Sequence, residues 1–374
     1  MTKYSGTFIL VTVGTSALGN VRRALNTNDL PSIQEALEVL KRVGPEDRTC
    51  GAEVNSNRRL LEGMRLSCGE TLQPYELMFL VSETDEGRWT GDLLKAYYNG
   101  LRGVDKADWK EIEGLSPVNA GRFARLGLRN LVRESSALLR NAEGKGFFRV
   151  INATGGFKAQ ISFAGLIGQT LGVPVIYQFE KFDDCVEMPP MPVDFDREIW
   201  LMHYDLFMRL SEKGALLEKD YPFDELDPVI RELLDVVEEG ADRLYSLSPI
   251  LELMHQGFLS RRPRQISKPS AYEAPLSEKV KLVKSEEAHD PVGTRKIAEM
   301  MVRKFDWIKE IKNHTPRMNS ARSHLLPRRG EIDRHWICYS DGVKGVRLSI
   351  KTSCEHDGHY EYVSERLAEF LADL

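Results

Sequence analysis

Between residues 7 and 180, short apolar runs alternate with stretches of helical periodicity. The runs at 7–13, 76–82, 147–152 and 173–179 are rich in β-branched and aromatic residues and carry little polarity. Strands buried on both faces read this way, and helices placed between them predict a mostly parallel sheet with helical cover. The segment 187–196, Glu-Met-Pro-Pro-Met-Pro-Val-Asp-Phe-Asp, should end that domain, because proline removes backbone donors and restricts its neighbours.

Beyond it, 197–260 reads as helices, including 226–237 and 248–254, with a strand only at Phe258-Leu259. A small helical or winged-helix connector is expected there. The next stretch, 261–295, holds Arg261-Arg262-Pro263-Arg264, further prolines and mixed charge, the composition of an exposed linker. Helical periodicity over 297–311, strands at 331–339 and 345–352 and a helix at 362–372 then predict a compact α+β module. The expected domains are 1–190, 191–262, 263–295 as linker, and 296–374.

Composition narrows the function classes. The 374 residues are 42% hydrophobic and 29% charged, with a net charge of −5, which is ordinary for a globular chain. A uniformly basic nucleic-acid surface is excluded, so any anion site must be a local patch. The five cysteines, Cys50, Cys68, Cys185, Cys338 and Cys354, share no repeated short spacing; neither a disulfide framework nor a zinc ribbon is expected, and a reducing cytosol fits. With no signal-peptide pattern at residue 1 and no apolar stretch of spanning length, a cytoplasmic protein without a membrane partner is expected.

Two turns carry candidate chemistry. The first strand runs into Val13-Gly14-Thr15-Ser16-Ala17-Leu18, and the third into Asn152-Ala153-Thr154-Gly155-Gly156-Phe157-Lys158. At the carboxyl ends of parallel strands such turns offer backbone N–H groups and a helix N-terminus to an anion. Gly14, Thr15, Ser16, Asn152, Thr154, Gly155, Gly156 and Lys158 are the candidate binding residues. Ser82-Glu83-Thr84 follows another strand and belongs to the same crevice, while the GxGxxG spacing of a dinucleotide fingerprint is missing.

These turns, the second above all, resemble those of the CARF family, the CRISPR-associated Rossmann-fold sensors, over roughly the first half of the chain. The resemblance implies a homodimer that binds cyclic oligoadenylate made by type III CRISPR complexes, at its two-fold axis. Many members respond to cyclic tetra-adenylate, so an allosteric activator, and no catalytic cofactor or metal, is implied.

CARF sensors are commonly joined to a nuclease, which directs attention to the last domain. A HEPN ribonuclease would show an Arg and a His with four to six residues between them; Arg197/His203, Arg317/His324 and Arg329/His335 all satisfy so permissive a pattern. The order helix, basic loop, strand, turn, strand and Tyr-bearing helix over 296–374 instead resembles a RelE-type messenger RNA interferase. That resemblance implies metal-free cleavage of messenger RNA on the ribosome by Arg, Lys and Tyr side chains.

Attack of a 2′-hydroxyl on the adjacent phosphate needs proton exchange and cations that neutralise the phosphorane. Five of the eight histidines, His314, His324, His335, His356 and His359, lie in this module among Arg328, Arg329, Arg334, Arg347 and Lys351. Alternation along 345–352 turns Val346, Leu348 and Ile350 inward and Arg347, Ser349 and Lys351 outward. Arg334, His335, Lys351, His356 and Tyr362 are the candidate catalytic residues, with Tyr360 competing for the tyrosine position. Cys354, His356 and His359 lack a fourth metal ligand. The rival readings are a CARF-HEPN ribonuclease acting on free RNA and a non-catalytic CARF winged-helix transcriptional regulator.

Overall fold

The computed structural model describes residues 4–179, 182, 184–191, 195–240, 242–260, 266–283, 290–327 and 330–374, with the backbone alone at 315–318. The chain divides into two compact units, Met1–Asp194 with Ser248–Ser260, and Phe195–Leu247 with Arg261–Leu374. Of the segment 191–262, expected as a connector, Ser248–Ser260 belongs to the first unit and Phe195–Leu247 to the second. Arg261–Arg264 and Arg328–Arg329 lie outside the described residues, as do 192–194 of the proline-rich segment.

In the first unit, strands β1 (Thr7–Thr12), β2 (Tyr75–Ser82), β3 (Val104–Ile112), β4 (Phe148–Asn152), β5 (Val175–Tyr177) and β6 (Val186–Met188) form one sheet in the order β3-β2-β1-β4-β5-β6. Neighbouring pairs are parallel except β5 with β6. Every residue of β1 is buried, as its unbroken apolar run requires. β3 was not legible in the sequence: Val-Asp-Lys-Ala-Asp-Trp-Lys-Glu-Ile is mostly charged, and an edge strand can be. Helices α1 (Ser16–Leu25), α2 (Ile33–Val43), α3 (Ala52–Leu61), α4 (Asp85–Tyr98), α5 (Leu128–Gly144) and α6 (Lys158–Leu171) cover the sheet, together with the helix Pro249–Ser260. Phe258 and Leu259, expected in a strand, lie in that last helix, where Arg133 of α5 pairs at 2.9 Å with the fully buried Glu252.

The strand order reverses direction between β1 and β4. In open α/β sheets ligands bind at such a switch point, beyond the carboxyl ends of the strands. Both candidate turns emerge there.

The second unit opens with α7 (Arg197–Met202), α8 (Tyr204–Lys213), β7 (Leu216–Leu217), α9 (Pro228–Glu232) and a hairpin of β8 (Leu234–Glu239) with β9 (Asp242–Leu247). The sheet order is β8-β9-β7. The helix expected over 226–237 is thus only its middle part; Val236 and Val237, β-branched, pair across the ladder with Tyr245 and Leu244 instead.

A four-stranded antiparallel sheet follows, from β10 (Ile308–Asn319), β11 (His324–Leu326), β12 (Arg334–Ser340) and β13 (Lys344–Thr352), in the order β10-β13-β12-β11. It lies between α10 (Pro291–Lys304) and α11 (Asp357–Ala372) in the chain. The helical reading of 297–311 fails at Lys304. Ile308 and Ile311 are both fully buried although three residues apart, because a register shift between Ile308 and Glu310 breaks strict alternation. That irregularity imitates helical spacing.

Candidate functional site

The two turns of the first unit touch. Thr12 Oγ1 donates to the Gly155 carbonyl at 2.6 Å, and a Cβ on Gly14 would stand 2.9 Å from the Gly156 nitrogen. Gly156 takes φ +106°, which favours glycine. From α3, Glu53 accepts the Gly14 N–H at 2.7 Å, so that donor is already engaged. Burial pushes the Glu53 carboxyl above the usual carboxylate range, against the opposing effect of the Gly14 hydrogen bond.

Asn152 is fully buried and acts as a node. Its amide donates to Ser56 Oγ at 2.8 Å and to Asn57 Oδ1 at 2.7 Å, while its oxygen accepts from the Thr154 hydroxyl at 2.7 Å. Gly155 is buried too. Thr15, Ser16 and Lys158 are exposed, and Gly14, Thr154 and Gly156 half-buried. The predicted residues therefore split into a surface set and a supporting set.

Two clefts flank the first turn. One, of about 540 Å³, is lined by Ser16, Asn20, Asn55 and Thr154, by three arginines, Arg23, Arg48 and Arg58, against one acid, Glu46, and by Phe179 and Phe182. The buried Arg58 Nε has no hydrogen-bond partner among the described residues, while the other end of the guanidinium pairs with Glu62 at 3.4 Å. The other, of about 360 Å³, is lined by Thr15, Arg22, Phe157, Ser82 and Thr84. Glu83 turns away, pairing with Arg122 and accepting the Gly114 N–H at 2.9 Å. Lys158 is not in the lining of either cleft. The three arginines of the larger cleft escaped the sequence reading, because they stand on three separated segments and form no motif.

In the second unit the ladder assigns faces. Ile311, Ile337, Leu348 and Ile350 are fully buried on one side of the sheet. His335 sits opposite Ile350, is 1% exposed, and stacks on Tyr360 of α11 with ring centroids 4.2 Å apart. It packs the helix on the sheet. On the other side Arg334 stands directly opposite Lys351, Trp336 opposite Ser349, and His314 opposite Arg347.

Arg334 pairs with Glu331 at 3.0 Å and Lys351 with Asp333 at 3.7 Å; both remain partly exposed. His356 caps α11, its Nδ1 accepting the His359 N–H at 3.4 Å, and the two rings stack at 3.7 Å. Tyr362 lies under the Arg366 guanidinium, 5.9 Å from the ring centre. The five predicted catalytic residues are thus distributed: Arg334 and Lys351 on the outward face, His335 in the core, His356 and Tyr362 on the terminal helix. Cys354 is buried, and among the described residues no group of three or more His, Cys, Asp or Glu is placed to hold a metal ion.

The described members of the three HEPN-like pairs are engaged with other residues. Arg197 pairs with Glu365 at 3.3 Å. His203 is buried and takes a hydrogen bond from Arg322 at 3.0 Å; desolvation and the Arg322 charge push it down to about 3. Burial likewise brings His324 down to about 4. Arg329, and the side chain of Arg317, lie outside the described residues.

No described helix is long and apolar enough to cross a membrane. No curated protein matches the chain. Among solved structures, protein VC1899 from Vibrio cholerae is 10% identical with a TM-score of 0.26, covering 93% of this chain and 77% of that one. Can2 from Sulfobacillus thermosulfidooxidans, solved in complex with cyclic tetra-adenylate, is 10% identical with a TM-score of 0.24, covering 68% of this chain and 62% of that one. Likenesses so faint carry no argument about chemistry. Within the first unit, however, residues 48–191, which hold Glu53, Arg58 and the Asn152–Lys158 turn, match the family described as CRISPR-associated protein (Cas_APE2256).

Proposed function

We propose that this chain is a cyclic-oligoadenylate-activated ribonuclease of type III CRISPR antiviral defence. The first unit, as a homodimer, binds cyclic tetra-adenylate; the second cleaves messenger RNA on the ribosome by metal-free 2′-hydroxyl attack, in the manner of a RelE-type interferase. The CRISPR-associated family match over 48–191 supports the defence context. The observation that carries the reading is the arginine-lined cleft at the switch point of the sheet: Arg23, Arg48 and Arg58 beside Ser16 and Thr154. Guanidinium groups with neighbouring hydroxyls are the donors that a ring of phosphodiesters needs.

For the effector, the support is a strand face presenting Arg334, Lys351 and Arg347. Such cations stabilise a phosphorane without a metal. The DNA-binding rival does less well, since the hairpin β8–β9 that would serve as its wing carries Asp235, Glu238, Glu239 and Asp242 against Arg243. An acidic wing repels phosphates. The HEPN rival requires a histidine that meets RNA, and His203 is 4% exposed and bonded to Arg322.

The deciding experiment incubates the full chain with labelled messenger RNA, with and without ribosomes, in the presence and absence of cyclic tetra-adenylate. Cleavage that needs both ribosome and activator, and survives EDTA once ribosome integrity is controlled for, is the expected result. Intact RNA in every arm, with activator-dependent binding of a DNA duplex, would replace this reading with the regulator.

A further inference from the structure

The candidate proton-exchanging groups read from the sequence lie away from the cationic strand face: His335 in the core, His356 at a helix cap. Two histidines lie on that face: His324, in one row with Cys338 and Arg347 and with its Nδ1 3.1 Å from the Arg322 carbonyl oxygen, and His314, at the other end of that row. His314 occupies β10, which the sequence pattern had assigned to helix and loop, and its Cα partner across the ladder is Arg347. Its Nε2 is 2.7 Å from Ser349 Oγ, and its ring centroid is 4.8 Å from that of Trp336. Ser349 in turn faces Trp336 on the far side. Three adjacent strands thus place an imidazole, a buried hydroxyl that fixes it, a guanidinium and an indole on one face of the sheet.

Each group suits RNA cleavage. Arg347 has a buried Nε with no hydrogen-bond partner among the described residues, so its donors are not all spent on the fold. The indole offers a stacking platform for a base. Beside them, Lys312 shares Glu310 with Lys281, at 2.6 and 2.8 Å, and these bonds hold the Glu310 carboxyl below the usual carboxylate range.

Resting on the ribonuclease reading, we infer that His314 is the catalytic residue that exchanges protons with the RNA. Its imidazole takes the proton of the 2′-hydroxyl as that oxygen bonds to phosphorus. As the bond from phosphorus to the 5′-oxygen breaks, the imidazolium returns a proton to that oxygen. The products are a 2′,3′-cyclic phosphate and a 5′-hydroxyl, and protons balance without a co-reactant. Ser349 is a positioning residue, and Arg347 neutralises the phosphorane.

The test measures cleavage by the full chain with cyclic tetra-adenylate and ribosome-bound messenger RNA. His314→Gln, which can still bond to Ser349, should be slower by about 10²–10⁴-fold, the range for losing a general acid–base group. His314→Ala should be equally slow and regain part of its rate in added imidazole, which a merely structural histidine would not do. Should both variants melt well below the parent chain, Ser349→Ala, which keeps the imidazole but removes its tether, is expected to cut the rate roughly tenfold with messenger binding unchanged. A parent chain that cleaves, with His314→Gln or, in that event, Ser349→Ala at the parent rate, overturns the assignment of His314 alone. A parent chain that leaves RNA intact in all conditions overturns the ribonuclease reading and this inference together.

Discussion

The carboxyl group of Glu53 accepts the backbone N–H of Gly14 at 2.7 Å, joining α3 to the turn that ends β1. A Cβ added to Gly155 would stand 1.9 Å from the same carboxyl oxygen, so one buried acid spaces both turns of the switch point. Removing it leaves the half-buried Gly14 N–H without a partner, which costs up to about 1–3 kcal/mol.

Glu53→Ala should therefore lower stability by about that amount, and Glu53→Gln by less, since an amide oxygen still accepts. The pH dependence has a definite sign. With its folded pKa raised by burial, the native chain keeps a proton that the unfolded chain releases, so stability falls as pH rises from the ordinary carboxylate value through the raised one. Urea unfolding across that window should show a decline in the parent chain that Glu53→Gln flattens; equal slopes would place the carboxyl in a less buried setting.

Ligand binding should distinguish the supporting residues from the contacting ones. Arg23→Ala or Arg48→Ala removes a charged donor from the larger cleft and should weaken cyclic tetra-adenylate binding by about 10–100-fold, from roughly 1.5–3 kcal/mol per charge-assisted hydrogen bond. Lys158→Ala, at a position outside either lining, should cost far less. Gly155→Val drives side-chain atoms into Glu53 and should abolish binding by deforming both turns. Calorimetric titration checks all of these, and a larger loss for Lys158→Ala than for either arginine would move the ligand to the start of α6.

The second unit should fail in acid. Arg322 bonds to Asp205 at 2.9 Å and to His203 at 3.0 Å, and Tyr221 donates to Asp205 at 2.9 Å, all buried. His203, at about 3, and His324, at about 4, stay neutral in the native chain while the unfolded chain protonates near 6.5. Stability is thus present above 6.5 and lost as pH falls toward those values. Arg322→Met should cost about 3–5 kcal/mol by stranding Asp205, measured by thermal unfolding at neutral pH. A change near zero would mean that water, and not Arg322, satisfies the acid.

His356 can serve as helix cap or as acid–base group, and substitution separates the two. His356→Ala removes the acceptor for the His359 N–H and should destabilise by about 0.5–2 kcal/mol. His356→Asn restores a cap without a titratable ring. If capping is its role, His356→Asn keeps the cleavage rate, whereas a rate near that of His356→Ala at equal stability would assign it to catalysis.

Arg334→Ala and Lys351→Ala should each lower the cleavage rate by about 10²-fold or more, as losing one preorganised charge-stabilising group does, with little change in messenger binding. Single-turnover cleavage rates and a binding assay decide it. A loss confined to binding would make the pair a phosphate clamp.

Much of the first unit could be read from sequence for a simple reason. Strands such as Thr7–Thr12 and Tyr75–Ser82 are buried on both faces, so burial itself writes a continuous apolar run. The turns at Gly14–Ser16 and Thr154–Gly156 were legible because close backbone approach leaves room only for small residues. The second unit's sheet was legible only at β12 and β13, where alternation is regular.

What the tertiary structure decided is which of those residues meet. Whether Asn152 faces a ligand or a buried amide network depends on Ser56 and Asn57, far away in the chain. Arg23, Arg48 and Arg58 become one cleft only when three segments converge at the switch point. In the second unit, one register shift in β10 hid a strand from its own periodicity, and with it His314. The sequence carries each residue's chemistry and its local preference for strand, turn or helix, because those depend on neighbours in the chain. The face on which a side chain stands, and the partner it finds there, depend on strand register, which is set by contacts between residues distant in the sequence.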